Sequence, residues 1–540
     1  MIHWRQLLVL VFFLSFTVER GLAQELESGL ERATEEMGRP LHPAKTFDLF
    51  AEVYSYERLL QDPQRFHAGT AVGVMRQAYD EMFALTPERV DFSSVDANPQ
   101  AFVQELFEVT LLLDQRMAEF HAQGRLTREM ANAKRRVLRA IRFLRETILA
   151  RGAEQMGGSS GLYGGRVPPL GEDVPDLHWT VHPRYADARL IDLPRTFLFI
   201  CMGPGNISAA IARSADEDNM FSHLAVGYRS TKEEVVKGKV YPPNSLFLLE
   251  ALIETGVIIQ PLSHHFEAID RDVIFLVRDP RKQSAVDAAA ERYFERARVA
   301  YNAGSALAYD FSMGTVEEEK VTLANLFEAE EGRLADPDRY FCSAVASEIF
   351  AEAGLELFPK AIQTRVNQGA PTRTLFQSWG IDTDQPVTAP GDTDLSPILL
   401  RYAEGTRLDG IEANHLQQVV LTQVFRWMDE DGYELRWPTK VSFKTALFSF
   451  LHRIHLDLGI VPDGMNRGML NSLLALDGGS EVYRKELTRA NEAFRAERGR
   501  GMVPSEMVQH LRRTRDEVRW RRRWLRPPED GEPVKQLASE

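Results

Sequence analysis

Between Gln24 and about Ala150 apolar residues recur at three-to-four spacing. Phe102, Leu106, Val109, Leu113, Met117 and Phe120 form one series, and Val137, Ile141, Leu144 and Ile148 form another. An α-helix turns once in about 3.6 residues, so each series occupies one face. A helix with one apolar stripe is stable only when that stripe is covered, and the spacing therefore predicts a helical bundle over residues 24–156. Lys134, Arg135, Arg139, Arg142 and Arg145 fall largely off the second stripe, which predicts a solvated face.

Gly157 to Pro169 is rich in glycine and proline and ends the helical part. It opens a linker over 157–189. The period then changes: Phe197 to Met202, Ser222 to Tyr228, Ser245 to Ile253 and Val273 to Val277 are short apolar or alternating runs, which predict strands. Helices are expected at Ala285 to Ala303 and at Cys342 to Ala353, where Val345, Ile349 and Phe350 form a stripe. Asp382 to Pro397 is polar and holds Pro386, Pro390 and Pro397, so 382–398 reads as a second linker. Helical patterns return at Leu416 to Met428, Thr445 to Leu456, Glu481 to Ala496 and Ser505 to Trp524. The expected fold class is α+β: a core over 190–381, sheet packed on helices, flanked by helical regions at 24–156 and 399–540.

At 540 residues the chain exceeds one ordinary core. A net charge of -14 argues against a nucleic-acid-coating role. His3 and Arg5 precede an apolar run, Leu7 to Val18, followed by Gly21-Leu22-Ala23, the pattern of a signal peptide over 1–23. The expected location is periplasmic or secreted. In an oxidising compartment the two cysteines, Cys201 and Cys342, have two readings: a disulfide, or one reactive thiol with a bystander.

Three segments carry chemistry. A cysteine attacks an acyl carbon as thiolate, and a helix N-terminus or a neighbouring imidazole favours that form. Cys342 stands where a helix is expected to begin, so first-turn N–H groups would face its sulfur and the oxyanion formed on attack. His223 shares a strand face with Ala225 and Gly227, small neighbours that leave room for a substrate. Glu250 interrupts the apolar run Leu246 to Ile253, where an ionised carboxylate is costly without a partner. A histidine on an adjacent strand is such a partner, and Glu254 is the reserve candidate. The order is base, acid, nucleophile.

The run from about Leu190 to Pro359 resembles the circularly permuted, NlpC-type papain-like cysteine hydrolases, the YiiX/YebB-like group, distant relatives of the lecithin:retinol acyltransferase branch. The likeness rests on Gly205-Asn206-Ile207-Ser208 with Ala210-Ile211-Ala212, Phe221-Ser222-His223-Leu224, Leu249-Glu250-Ala251 with Gly256-Val257, Tyr309-Asp310-Phe311, and Phe341-Cys342-Ser343. In the permuted group the histidine strand precedes the cysteine, as here. The resemblance implies Cys342 as nucleophile, His223 as base and Glu250 as orienting acid, with Asn206 and Tyr309 lining the pocket and no cofactor. Ile191 to Arg195 replaces the Pro-Gly-Asp turn usual before the first strand, and Ala344 stands where an acid often follows Cys-Ser.

Other signals are weaker. Gly157-Gly158-Ser159-Ser160-Gly161 fits the serine-hydrolase elbow but has no strand before it. His264-His265 and His452 with His455 lack metal-ligand spacing, and Asp429-Glu430-Asp431-Gly432 lacks the rest of a calcium loop. Arg512, Arg513, Arg515, Arg519, Arg521, Arg522, Arg523 and Arg526 lie with Trp520 and Trp524 in a segment suited to peripheral contact with an anionic membrane or envelope polymer. The expectation is a secreted cysteine hydrolase acting on an amide or ester bond, first of cell-wall peptides and second of acyl lipids or lipoproteins. The competing expectation is a non-catalytic envelope scaffold.

Overall fold

The computed structural model describes residues 47–86, 88, 90–155, 177–186, 188, 190–202, 212–213, 219–252, 256–265, 271–302, 342–363, 371–378, 383–384, 386–435, 467–515 and 525–526. Asp48–Thr86 and Phe92–Glu540 form one compact unit, and the elements below belong to it.

The helical region folds as α1 (Leu49–Gln61), α2 (Ala71–Phe83), α3 (Pro99–Ala122) and α4 (Arg128–Gln155). Asn98 accepts from the Ala101 N–H and caps α3, whose first residue is proline, a combination that satisfies an orphan donor and presets the first φ. The first predicted stripe is buried throughout, and the second is buried except at Leu144, which is half-buried; Leu113 and Val137 are buried completely.

The sheet has seven antiparallel strands: β1 (Leu177–Val181), β2 (Thr196–Met202), β3 (His223–Arg229), β4 (Leu246–Leu252), β5 (Gly256–Pro261), β6 (Arg271–Val277) and β7 (Leu399–Arg407), in the order β1-β7-β6-β2-β3-β4-β5. The α+β class holds. The expected core boundaries 190–381 do not contain the sheet, because β1 comes from the stretch read as linker and β7 from the stretch read as helical. β7 reads Leu-Leu-Arg-Tyr-Ala-Glu-Gly-Thr-Arg, and its Arg401, Glu404 and Thr406 disguise a strand that is buried along nearly all its length. On one face Trp179, Phe197, Phe199, Ala225, Leu248, Ile274 and Ala403 form a continuous apolar core. Gly227 pairs with Phe197, and a Cβ at 227 would lie 2.0 Å from the Phe197 ring, so only glycine fits.

α5 (Gln283–Asn302) and α6 (Cys342–Glu352) pack against each other and against β3. Phe294 of α5 stacks on Tyr228 at 4.4 Å between centroids. Beyond β7 follow α7 (Ile411–Asp429), α8 (Arg467–Arg498) and α9 (Pro504–Thr514).

Two expectations fail together. The basic residues of α4 are not solvated: Lys134, Arg135, Arg139, Arg142 and Arg145 are all buried. Part of the segment read as a polar linker is buried too, as a 3-10 turn over Pro390–Leu395, while Asp384 is exposed. Each supplies the other's counter-charges. Arg142 holds Asp394 with both Nη atoms at 2.7 and 2.9 Å and Glu404 at 2.5 Å. Arg135 reaches Asp392 at 2.6 Å, and Lys134 reaches Asp114 at 2.7 Å. Arg401 of β7 joins Asp114 (3.0 Å) to Asp394 (2.8 Å). Glu146 accepts from Arg271 and lies 2.8 Å from His415. Burial alone would raise the Asp394 carboxyl, but Arg142, Arg401 and Lys134 hold it far below the ordinary range. This lattice ties α3 and α4 to the sheet, so the helical region and the sheet share one polar core rather than a linker.

Candidate active site

The β3–β4 register opposes Val226 to Leu249 and Tyr228 to Phe247. Continued by one residue it sets Ala225 opposite Glu250, and His223 lies one diagonal step away on the same face. Side chains at that offset meet when both are long. His223 Nε2 and Glu250 Oε2 are 2.7 Å apart.

Glu250 is 2% exposed, the anomaly its apolar run announced. Burial raises its carboxyl, but the hydrogen bond and charge of His223, the charge of His265 and a hydrogen bond from Gln260 outweigh it and hold the group below the usual carboxylate range. Gln260 donates its Nε2–H to Glu250 Oε1, so both carboxylate oxygens are engaged. Sequence reasoning missed Gln260. The available signal was of the same kind as Glu250, a polar residue inside the apolar strand Gly256–Pro261, but an uncharged amide raises less alarm.

Cys342 is the first residue of α6, as expected, and is buried. Ser343 donates its Oγ–H to the Thr388 carbonyl at 2.9 Å and pins the helix start. The Cys342 side chain hydrogen-bonds His223. Burial works to lower the His223 pKa, yet the hydrogen bonds to Cys342 and Glu250, with the charges of both, push it up to about 10. The ring thus lies between a carboxylate and a sulfur at a helix N-terminus, where partial positive charge and free N–H groups favour an anion.

The disulfide alternative fails: Cys201 and Cys342 are both free. Cys201 lies directly opposite His223 on β2. Burial pushes its thiol far up, and Asp272, Glu250 and Cys342 add to the effect. Next in the row, Asp272 opposes Cys201 and lies 3.4 Å from His265. Burial raises the Asp272 carboxyl against the opposing charge of His265. His264 is exposed, whereas His265 is buried with its ring 5.3 Å from that of Phe199. Among the described residues, no group of three or more His, Cys, Asp or Glu is placed to hold a metal ion.

Asn206 and Tyr309 lie outside the described residues, as do residues 1–23, Glu254, the serine-elbow candidate, His452, His455, Trp520 and Trp524. Of the basic C-terminal segment, Arg512 and Arg513 are exposed at the end of α9. Arg515 instead is half-buried, pairs with Asp431 and sits 5.1 Å over the Tyr433 ring. Among the described residues no helix is long and apolar enough to cross a membrane. Comparison with family models, with curated proteins and with solved structures finds no match to this chain.

Proposed function

We propose that this protein is a cysteine hydrolase that cleaves an amide or ester bond through an acyl-enzyme on Cys342. The observation that carries the reading is the His223 ring, held by a buried carboxylate on one side and hydrogen-bonded to a helix-starting sulfur on the other. The resemblance to the permuted papain-like hydrolases agrees with it and rests on the short motifs quoted above.

In the proposed cycle the Cys342 thiolate attacks the carbonyl carbon and forms a C–S bond, while first-turn N–H groups of α6 stabilise the oxyanion. The protonated His223 gives its proton to the leaving nitrogen or oxygen as that bond breaks, leaving a thioester. A water then yields a proton to His223 and attacks the thioester carbon, the C–S bond breaks, and the acid and free enzyme result. Glu250 keeps the imidazole oriented and stabilises its charged form. The chemistry needs no metal or organic cofactor.

The substrate proposed first is a peptide of the cell wall, matching the export signal read from residues 1–23. An acyl lipid or lipoprotein is second. Incubation with purified muropeptides and, separately, with phospholipid and lipopeptide substrates, followed by mass spectrometry, tests the choice by the bond cleaved. The chemistry itself is tested by iodoacetamide labelling of Cys342 at pH 6. A thiol labelled fast in the wild type and slowly in His223→Ala supports the hydrolase. A slow thiol indifferent to that substitution overturns it in favour of a ligand-holding scaffold.

A further inference from the structure

We infer that Gln260 is a positioning residue of this site, acting through Glu250 to keep the catalytic imidazole charged and aimed. The inference rests on the hydrolase reading and deepens it.

The argument starts from the geometry of a carboxylate. Glu250 has two oxygens, and orienting His223 through Oε2 leaves Oε1 to be satisfied inside a buried strand. An acceptor buried without a donor favours the neutral acid, which also accepts less strongly from the imidazolium. Gln260 removes that alternative. The β4–β5 register sets Ile258 opposite Glu250 and Gln260 opposite Leu248, so Gln260 lies one diagonal step from Glu250 on the same face. Its Nε2–H meets Oε1, and the carboxylate is gripped from both flanks. The acid thus sits between β3, which brings His223, and β5, which brings Gln260.

The choice of residue type follows. A lysine or arginine at 260 would grip the acid equally well but would compete with His223 for its charge. A neutral amide donates without adding charge, so the imidazole remains the main counter-charge of Glu250. The other titratable groups that act on this acid come from separate elements: His223 on β3, His265 on the turn Leu262–His265, and Cys201 on β2, with Asp272 of β6 beside Cys201 and His265. Of these, His223 holds Oε2, and Gln260 holds Oε1.

The test is the pH dependence of iodoacetamide labelling at Cys342 in the full-length protein. Gln260→Met keeps the length and packing of the side chain and removes the donor. Its labelling rate is expected to fall about tenfold near pH 5, the order expected for loss of a hydrogen bond to a charged group, and to approach the wild-type rate by pH 8, where Glu250 is ionised without help. In a Glu250→Gln background the same substitution should change nothing, because its effect runs through the acid. A residue with a merely structural role would lower the rate equally at every pH and in both backgrounds. If Gln260→Met does not fold, Gln260→Asn, whose amide is too short to reach, replaces it. An activated wild-type thiol with a pH profile unmoved by these substitutions overturns the role of Gln260 and leaves the hydrolase reading standing. A wild-type thiol that is slow and indifferent to His223→Ala overturns both.

Discussion

Cys201 lies directly opposite His223 across the β2–β3 pair, yet Cys342, more than a hundred residues later, hydrogen-bonds the ring. Both sulfurs are buried and both are free. What separates them is the local field: Cys342 starts a helix, while Cys201 sits mid-sheet beside Asp272 and is pushed toward the neutral thiol.

Selective labelling follows from that contrast. Native protein treated briefly with iodoacetamide at pH 6 should gain one carbamidomethyl group, at Cys342, and a second only after unfolding. Cys201→Ser should leave the Cys342 rate within about threefold, whereas Cys342→Ser should abolish labelling and turnover while preserving the thermal midpoint to within a few degrees. Peptide mapping of the labelled site checks both, and first labelling at Cys201 would reverse the assignment.

A second prediction concerns alkaline stability. The His223 pKa is raised from its ordinary value of 6.5 to about 10 in the folded state. A group raised on folding stabilises the protein in full below its unfolded pKa, and that contribution is lost as pH rises from about 6.5 through about 10. The thermal midpoint of the wild type should therefore exceed that of His223→Ala at pH 6, and the gap should close toward pH 10. Glu250 acts in the opposite sense: its pKa is lowered, so its contribution is present above the ordinary carboxylate pKa and fades as pH falls below it. A gap that stays constant from pH 6 to 10 would contradict the coupling of the ring to its partners.

The close contact at β3 supplies a third. Gly227→Ala would drive its methyl into the Phe197 ring, whose nearest atom is 2.0 Å from the ideal Cβ position. Strand and ring must shift apart, at a cost of about 1–3 kcal/mol for overpacking. Denaturant unfolding should register that loss. Phe197→Leu in the Gly227→Ala background should recover part of it, which a backbone effect alone would not allow.

How much of this was legible in the chain depends on where each residue's partner lies. Glu250 was legible because a carboxylate inside an apolar run requires a counterpart, and Cys342 because its helix start is written in the stripe that follows. Gln260 made the same kind of interruption without a charge and passed unnoticed. The basic face of α4 was misread for another reason. Lys134 donates to the Asp394 carbonyl, 260 residues away in sequence, and no local pattern carries that relation. Polar composition was equated with solvent on both sides of the contact, which turned one buried interface into a wet helix face and a linker. The strand β7 was lost in the same way, its Arg401 and Glu404 belonging to that lattice.

The lattice yields the last prediction. Asp394 accepts from Arg142 and Arg401, and Asp394→Asn removes the negative charge between two buried guanidinium groups. Their desolvation has already been incurred, and their remaining partners, Glu404 and Asp114, must then serve more positive charge. Breaking a buried pair in this way costs about 3–5 kcal/mol, far above the value of a surface ion pair. Replacing both sides with apolar residues of similar size, Asp394→Leu with Arg142→Met, should cost less than Asp394→Leu alone, because fewer charges are stranded. Because the lattice joins α4 to β7 and the 390–395 turn, one cooperative transition followed by both tryptophan fluorescence and far-ultraviolet circular dichroism is expected in each variant, at lower urea for Asp394→Asn. Two separated transitions, with the helical region melting apart from the sheet, would show that the lattice does not couple them.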